Sequence, residues 1–165
     1  MEILSDKIRQ ADENNPKGYY EYEKVKTLPQ DNAWLLEENG KAVKIIAQLL
    51  QYLPPQGQYK IIFMERNLDE ILISQEKMLM QNGKNATENT VLLKTAFIRQ
   101  LRKIKERLAK QENISVLYID FAELIATPRE TSEKVNRFLA LGLNVSAMAA
   151  SVDPTLYRRR KAKFL

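Results

Sequence analysis

The sequence predicts an α/β domain, a mainly parallel sheet flanked by helices. Three short strand-like runs carry that expectation: KAVKII at Lys41–Ile46, YKIIFM at Tyr59–Met64 and ISVLYI at Ile114–Ile119. Each is followed by a segment of helical character, the alternation that builds parallel sheets. The middle run is the clearest, because Ile61-Ile62-Phe63-Met64 shows no polar alternation, as expected of a strand covered on both faces. At 165 residues a single domain is expected, spanning 1–165 and large enough to bury a core.

In chain order, Met1–Asn14 is weakly helical and acidic in its second half, and Asn15-Pro16-Lys17-Gly18 signals a turn. Tyr19-Tyr20-Glu21-Tyr22-Glu23 then concentrates rings and carboxylates close to Trp34. That cluster reads either as a loop packing its rings on the surface or as a substrate-side wall with a carboxylate inside it. After Lys41–Ile46, a short helix Gln48–Leu53 stops at Pro54-Pro55. Ile46 to Tyr59 leaves just enough chain for a crossover between parallel strands.

Beyond Met64 the period changes. Glu65-Arg66-Asn67 is a polar break, and Leu68, Ile71, Leu72, Met78 and Leu79 fall on one helical stripe. Asn67 is a good N-cap, with Glu70 at capping-box spacing. Gln81–Asn89 is polar and contains Gly83, the pattern of a mobile loop. Thr90–Gln111 reads as a helix with Phe97, Leu101, Ile104 and Leu108 on one stripe and seven Lys or Arg residues elsewhere. A basic helix of this kind is either a solvated face, with cations favoured near the C-terminus by the dipole, or a nucleic-acid surface. After Ile114–Ile119, Asp120 and Glu123 are placed to cap and brace a turn. A helix from about Arg129 to Leu141 packs Val135, Phe138 and Leu139, and Asn144–Val152 is a shorter helical stretch.

Composition narrows the chemistry. Apolar residues make up 44% and charged residues 28%, a globular balance. No apolar stretch approaches ~20 residues, so no membrane span is expected. Glu2 and Asp6 directly after Met1 do not fit a signal peptide, and a cytoplasmic location is expected. The absence of cysteine removes disulfides, thiolate zinc sites and Cys nucleophiles; the absence of histidine removes the commonest general base. Three Asn-X-Ser/Thr sequences, at Asn85, Asn113 and Asn144, are read as chance matches. The net charge of +5 is compatible with an anionic ligand without selecting one.

The edge after Tyr59–Met64 is the candidate site. In open α/β sheets, ligands sit beyond the carboxyl ends of strands, near helix N-termini. Arg66 lies there with a fork suited to phosphate oxygens, and Ser74 follows about 10 Å along the helix at ~1.5 Å per residue. The two could share one anion. Equally, Arg66 could pair with Glu65 or Asp69, leaving Ser74 an ordinary helix residue.

This stretch resembles the 3′-phosphate-binding element of sulfotransferases that use 3′-phosphoadenosine 5′-phosphosulfate (PAPS). There a hydrophobic strand runs into Arg-Asn-Pro, an acidic residue follows, and a Ser comes eight after the Arg. Arg66, Asn67, Asp69 and Ser74 match, while Leu68 stands where the family usually has Pro. The resemblance implies a P-loop-type α/β fold, PAPS as co-substrate, no metal, and a 3′-phosphate held by Arg66 and Ser74. NPKGYYEYE and the C-terminal half also resemble segments of bacterial sulfotransferase-like proteins. Lys44 matches a lysine that the family places near the transferred sulfuryl group; the position of the catalytic His in cytosolic members is Ile46 here. Glu21 becomes the candidate base, because some glycan sulfotransferases use a Glu before aromatics in a comparable segment. Arg158, in the basic run Tyr157–Lys161, corresponds in general role to a tail that adds contacts to the 3′-phosphate, without its Lys-Gly signature.

The family's 5′-phosphosulfate loop, a Ser/Thr/Gly-rich turn between a strand and a helix, has no counterpart here. In the relatives it lies just upstream of the NPKGYYE segment, so Met1 corresponds to an internal position of a longer member. The expectation is an N-terminally incomplete domain with a gap or exposed edge in its sheet, weakly active or inactive by itself. The complete protein would move a sulfuryl group from PAPS to a hydroxyl or amine of a small-molecule or glycan acceptor. The rivals are a non-catalytic module that binds nucleotide or serves as a partner subunit, and a nucleic-acid-binding protein using the basic helix. Nucleic acid is the less expected partner.

Overall fold

A computed structural model describes residues 1–6, 8, 10–12, 16–71 and 90–157. It is mixed α/β, with short parallel strands in two small sheets. The chain forms two compact units, Met1–Tyr59 with Leu101–Ile114, and Lys60–Gln100 with Ser115–Leu165.

The first unit contains β1 (Ile3–Leu4) and β2 (Ala42–Val43), which pair in parallel with Ile3 opposite Ala42 and Leu4 opposite Val43. Two expectations are corrected here. The N-terminal segment contributes a strand where a weak helix was expected, and the strand expected over Lys41–Ile46 is only two residues long. Its hydrogen bonding explains both. The Ala42 N–H donates to the Glu2 carbonyl at 2.8 Å, so the first residues are recruited by a partner distant in sequence. Asp6 then fastens the segment to the aromatic loop: its N–H donates to the Glu21 carbonyl, and its carboxylate accepts the Glu23 N–H at 2.5 Å. The expected helix Gln48–Leu53 is a 3-10 helix, Ala47–Tyr52, with further 3-10 turns at Glu23–Thr27 and Ala33–Glu37. Among the described residues, Leu4, Tyr19, Val25, Leu28, Trp34, Leu35, Leu50, Leu53, Pro54, Leu108 and Ile114 are buried in this unit.

A knot of polar contacts closes its corner. The Asn113 side-chain amide donates to the Gly57 carbonyl at 2.8 Å, and the Asn113 carbonyl accepts from the Tyr59 N–H at 2.9 Å. The Tyr59 hydroxyl donates to the Pro54 carbonyl at 3.0 Å. Burial pushes the Tyr59 phenol above its ordinary range, because the charged form would be poorly solvated.

The second sheet pairs β3 (Tyr59–Glu65) with β4 (Ile114–Asp120), so β2 and β3 lie in different sheets and the expected crossover between them is not formed. β3 is not covered on both faces either. Phe63 is buried, whereas Ile62 and Met64 are 36% and 46% exposed. The alternation is present in burial but invisible in residue type, since both faces are apolar. Phe63 meets Tyr118 of β4 with ring centroids 5.5 Å apart.

Helix α1 (Thr90–Leu108) follows the expected stripe, with Leu108 buried and Phe97, Leu101 and Ile104 partly covered. The C-terminal half holds α2 (Phe121–Ala126), α3 (Pro128–Leu139) and α4 (Val145–Ser151), with α3 packed against both others. Asp120 caps α2 as expected, accepting the Glu123 N–H at 2.9 Å. Glu123 pairs with Lys134. α3 begins on Pro128, which fits a first helical position, and ends at Ala140 in a left-handed conformation. Lys60 of β3 donates to the Phe138 and Leu139 carbonyls at 3.0 and 2.9 Å. A cation at the last carbonyls of a helix is favoured by the macrodipole.

Candidate functional site

The sequence from β3 into the next helix places Arg66 where the strand ends. Asn67 caps the turn that follows: its side-chain oxygen accepts the Asp69 N–H at 2.9 Å, its carbonyl accepts the Ile71 N–H at 3.1 Å, and residues 68–71 are helical. Arg66 thus leaves the sheet at its carboxyl end with its side chain laid along the first helical turn.

Its partner is Glu70, one turn on. Arg66 Nε donates to Glu70 Oε2 at 3.2 Å, so neither Glu65 nor Asp69, the partners weighed from the sequence, supplies this ion pair. Asp69 pairs with Lys94 of α1. Glu70 is buried, with its side chain 6% exposed, and its other carboxylate oxygen accepts from the Tyr157 hydroxyl at 2.9 Å. The guanidinium carbon lies 5.1 Å from the Phe121 ring centre and 5.6 Å from that of Tyr157. These two rings meet edge-to-face, 5.2 Å apart. Three residues, Glu70 of the helix start, Phe121 at the end of β4 and Tyr157 of the C-terminal segment, therefore enclose the cation that ends β3. Arg66 retains 30% side-chain exposure, so the charge is partly desolvated yet reachable from solvent.

The other candidates lie in the first unit. Lys44 sits just past the end of β2 instead of within a strand; its ammonium donates to the Tyr19 carbonyl at 2.9 Å and faces Glu21 at 3.9 Å. The structure brings these two predicted residues together. Tyr19 beside them is buried, Tyr20 is exposed with a φ of 49°, and Tyr22 meets Trp34 edge-on at 5.7 Å. A left-handed backbone at a non-glycine residue is costly and fixes the loop's course here. Ser74, Arg158 and the expected loop Gln81–Asn89 lie outside the described residues.

The last turns of α1 form an open hollow lined by Lys103, Glu106, Arg107, Lys110 and Gln111. Glu106 pairs with Arg102 at 3.4 Å, and the cations flank the helix C-terminus, where the dipole favours them. No described helix is long and apolar enough to cross a membrane.

Glu70, Phe121 and Tyr157 were not singled out from the sequence as site residues. The Arg66–Glu70 spacing of four on a helix carried the signal for the first; the two rings arrive from distant segments. No protein-family model, curated protein or solved structure matches the chain.

Proposed function

We propose that this chain is a cytoplasmic sulfotransferase-like domain in which Arg66 takes the 3′-phosphate of PAPS or of adenosine 3′,5′-bisphosphate. In the complete protein, the sulfuryl group of PAPS passes to a hydroxyl or amine of a small-molecule or glycan acceptor. The bond from sulfur to the phosphate oxygen breaks, a bond from sulfur to the acceptor forms, and the acceptor proton goes to a base. Ser74 and Arg158 join Arg66 on the 3′-phosphate, Lys44 lies near the transferred group, and Glu21 is the base.

The observation that supports this reading most directly is the state of Arg66. It stands at the carboxyl end of a strand, flanked by two rings, with Nε engaged and its side chain 30% exposed. Arginine carries five N–H donors, so the four Nη hydrogens remain the natural set for phosphate oxygens. The Lys44–Glu21 pair, 3.9 Å apart, supports a second cluster in which a cation for the transferred group and a carboxylate base stand side by side.

The test is calorimetry with adenosine 3′,5′-bisphosphate. The wild-type chain binds it, and Arg66→Lys, which keeps the charge and loses the fork, weakens binding at least tenfold. Absence of wild-type binding overturns the proposal. The enclosed cation is a binding feature in itself, and a second reading has the nucleotide bind there without transfer. Labelled PAPS with a panel of hydroxyl and amine acceptors separates the two.

A further inference from the structure

We infer that Glu70 is a positioning residue that aims the Arg66 guanidinium at a phosphate monoester. The inference rests on the nucleotide reading above and assigns to Glu70 a role that the resemblance does not give it. Buried carboxylates are rare and costly unless held by hydrogen bonds and a counter-charge. Glu70 has both, from Arg66 at 3.2 Å and the Tyr157 hydroxyl at 2.9 Å. It engages the Nε side of the guanidinium, while Phe121 and Tyr157 stand within cation–π distance. A long side chain that would otherwise sample many rotamers is thereby restricted before any ligand arrives, and ordering it in advance favours binding. The Tyr157 hydroxyl in turn restrains the Glu70 carboxylate, so the aim of Arg66 depends on a residue from the C-terminal segment.

The same carboxylate also repels an incoming anion, so removing it has two opposed effects. Glu70→Gln and Glu70→Ala separate them, because both abolish the charge and only the glutamine keeps an oxygen to accept from Arg66 Nε, with an amide N–H that can donate to the Tyr157 hydroxyl. Calorimetry is run with adenosine 3′,5′-bisphosphate and with adenosine 5′-phosphate, which lacks the 3′-phosphate. Expected is a three- to tenfold tighter binding of the bisphosphate by Glu70→Gln than by Glu70→Ala, about 0.6 to 1.4 kcal/mol. The monophosphate should not distinguish the two variants. Equal affinities for the bisphosphate, or the same ratio for both nucleotides, overturn the positioning role alone. A wild-type chain that binds the two nucleotides equally overturns the 3′-phosphate reading and the positioning role with it. Should both Glu70 variants fail to fold, Tyr157→Phe carries the test. It keeps charge and ring but removes the hydroxyl, and a two- to threefold loss confined to the bisphosphate is expected; no loss overturns the role.

Discussion

Replacing Arg66 by Met tests the electrostatics of the enclosed cation directly. The substitution keeps a long apolar stem against Phe121 and Tyr157 and removes the charge that Glu70 faces at 3.2 Å. Breaking a fully buried ion pair by removing one partner costs about 3–5 kcal/mol, since the remaining charge loses its compensation. Arg66 is 30% exposed while Glu70 is only 6% exposed, so water already solvates part of the cation and the expected cost falls to about 2–3 kcal/mol. Arg66→Met with Glu70→Leu removes both charges and should recover much of that loss, giving a coupling energy of roughly 1–3 kcal/mol. Urea unfolding at neutral pH measures it. With a slope of about 2 kcal/mol per molar, the single variant shifts the midpoint by roughly 1 M or more. A single variant within about 0.5 kcal/mol of wild type, or a double variant no better than the single, would refute the picture of a buried anion compensated by Arg66.

Two further outcomes follow from groups outside this cluster. Thr131 is fully buried on α3, and its hydroxyl has no hydrogen-bond partner among the described residues. Thr131→Val, similar in shape and equally β-branched, should stabilise the protein by about 1 kcal/mol, a rise of roughly 2–4 °C in Tm by calorimetry; destabilisation would mean the hydroxyl is satisfied. The Asp6 carboxyl is held below its ordinary value of 3.8 chiefly by the Glu23 N–H, then by the Ile8 N–H. Its folded-state pKa therefore lies below the unfolded one. The stabilisation is present above about pH 4 and is lost as pH falls through the folded value. Asp6→Asn should accordingly flatten the acid limb of a stability-versus-pH curve measured by urea titration; an unchanged limb would show that Asp6 does not contribute.

What the sequence revealed divides along the distance over which each feature is determined. β3, β4 and the helices at Thr90–Leu108 and Pro128–Leu139 were legible because local signals agree: apolar runs, an Asp at a cap, a Pro at a first turn. The pairing of Ile3–Leu4 with Ala42–Val43 was not, because two-residue strands owe their geometry to a distant partner. The solvent-facing side of β3 was hidden because Ile62 and Met64 are apolar and nonetheless exposed. Within the candidate site, the strand-end arginine was legible, whereas its partner Glu70 was read only as a capping residue. The spacing of Asn67 and Glu70 suggested a capping box, yet the carboxylate of Glu70 meets Arg66 and Tyr157, contacts set by tertiary structure. Lys44 and Glu21 were singled out separately, and only the fold brings them to 3.9 Å.

The grip of Lys60 on the end of α3 bears on how β3 finds its alignment. A ribbon of two strands with apolar residues on both sides has little in its pattern to forbid sliding by one position. A slip of that kind would offer Tyr59 or Ile61 to the carbonyls of Phe138 and Leu139, and neither side chain carries an ammonium. One flexible lysine thus works as a molecular keyway, marking a single correct seating for a strand whose greasy faces would otherwise tolerate several.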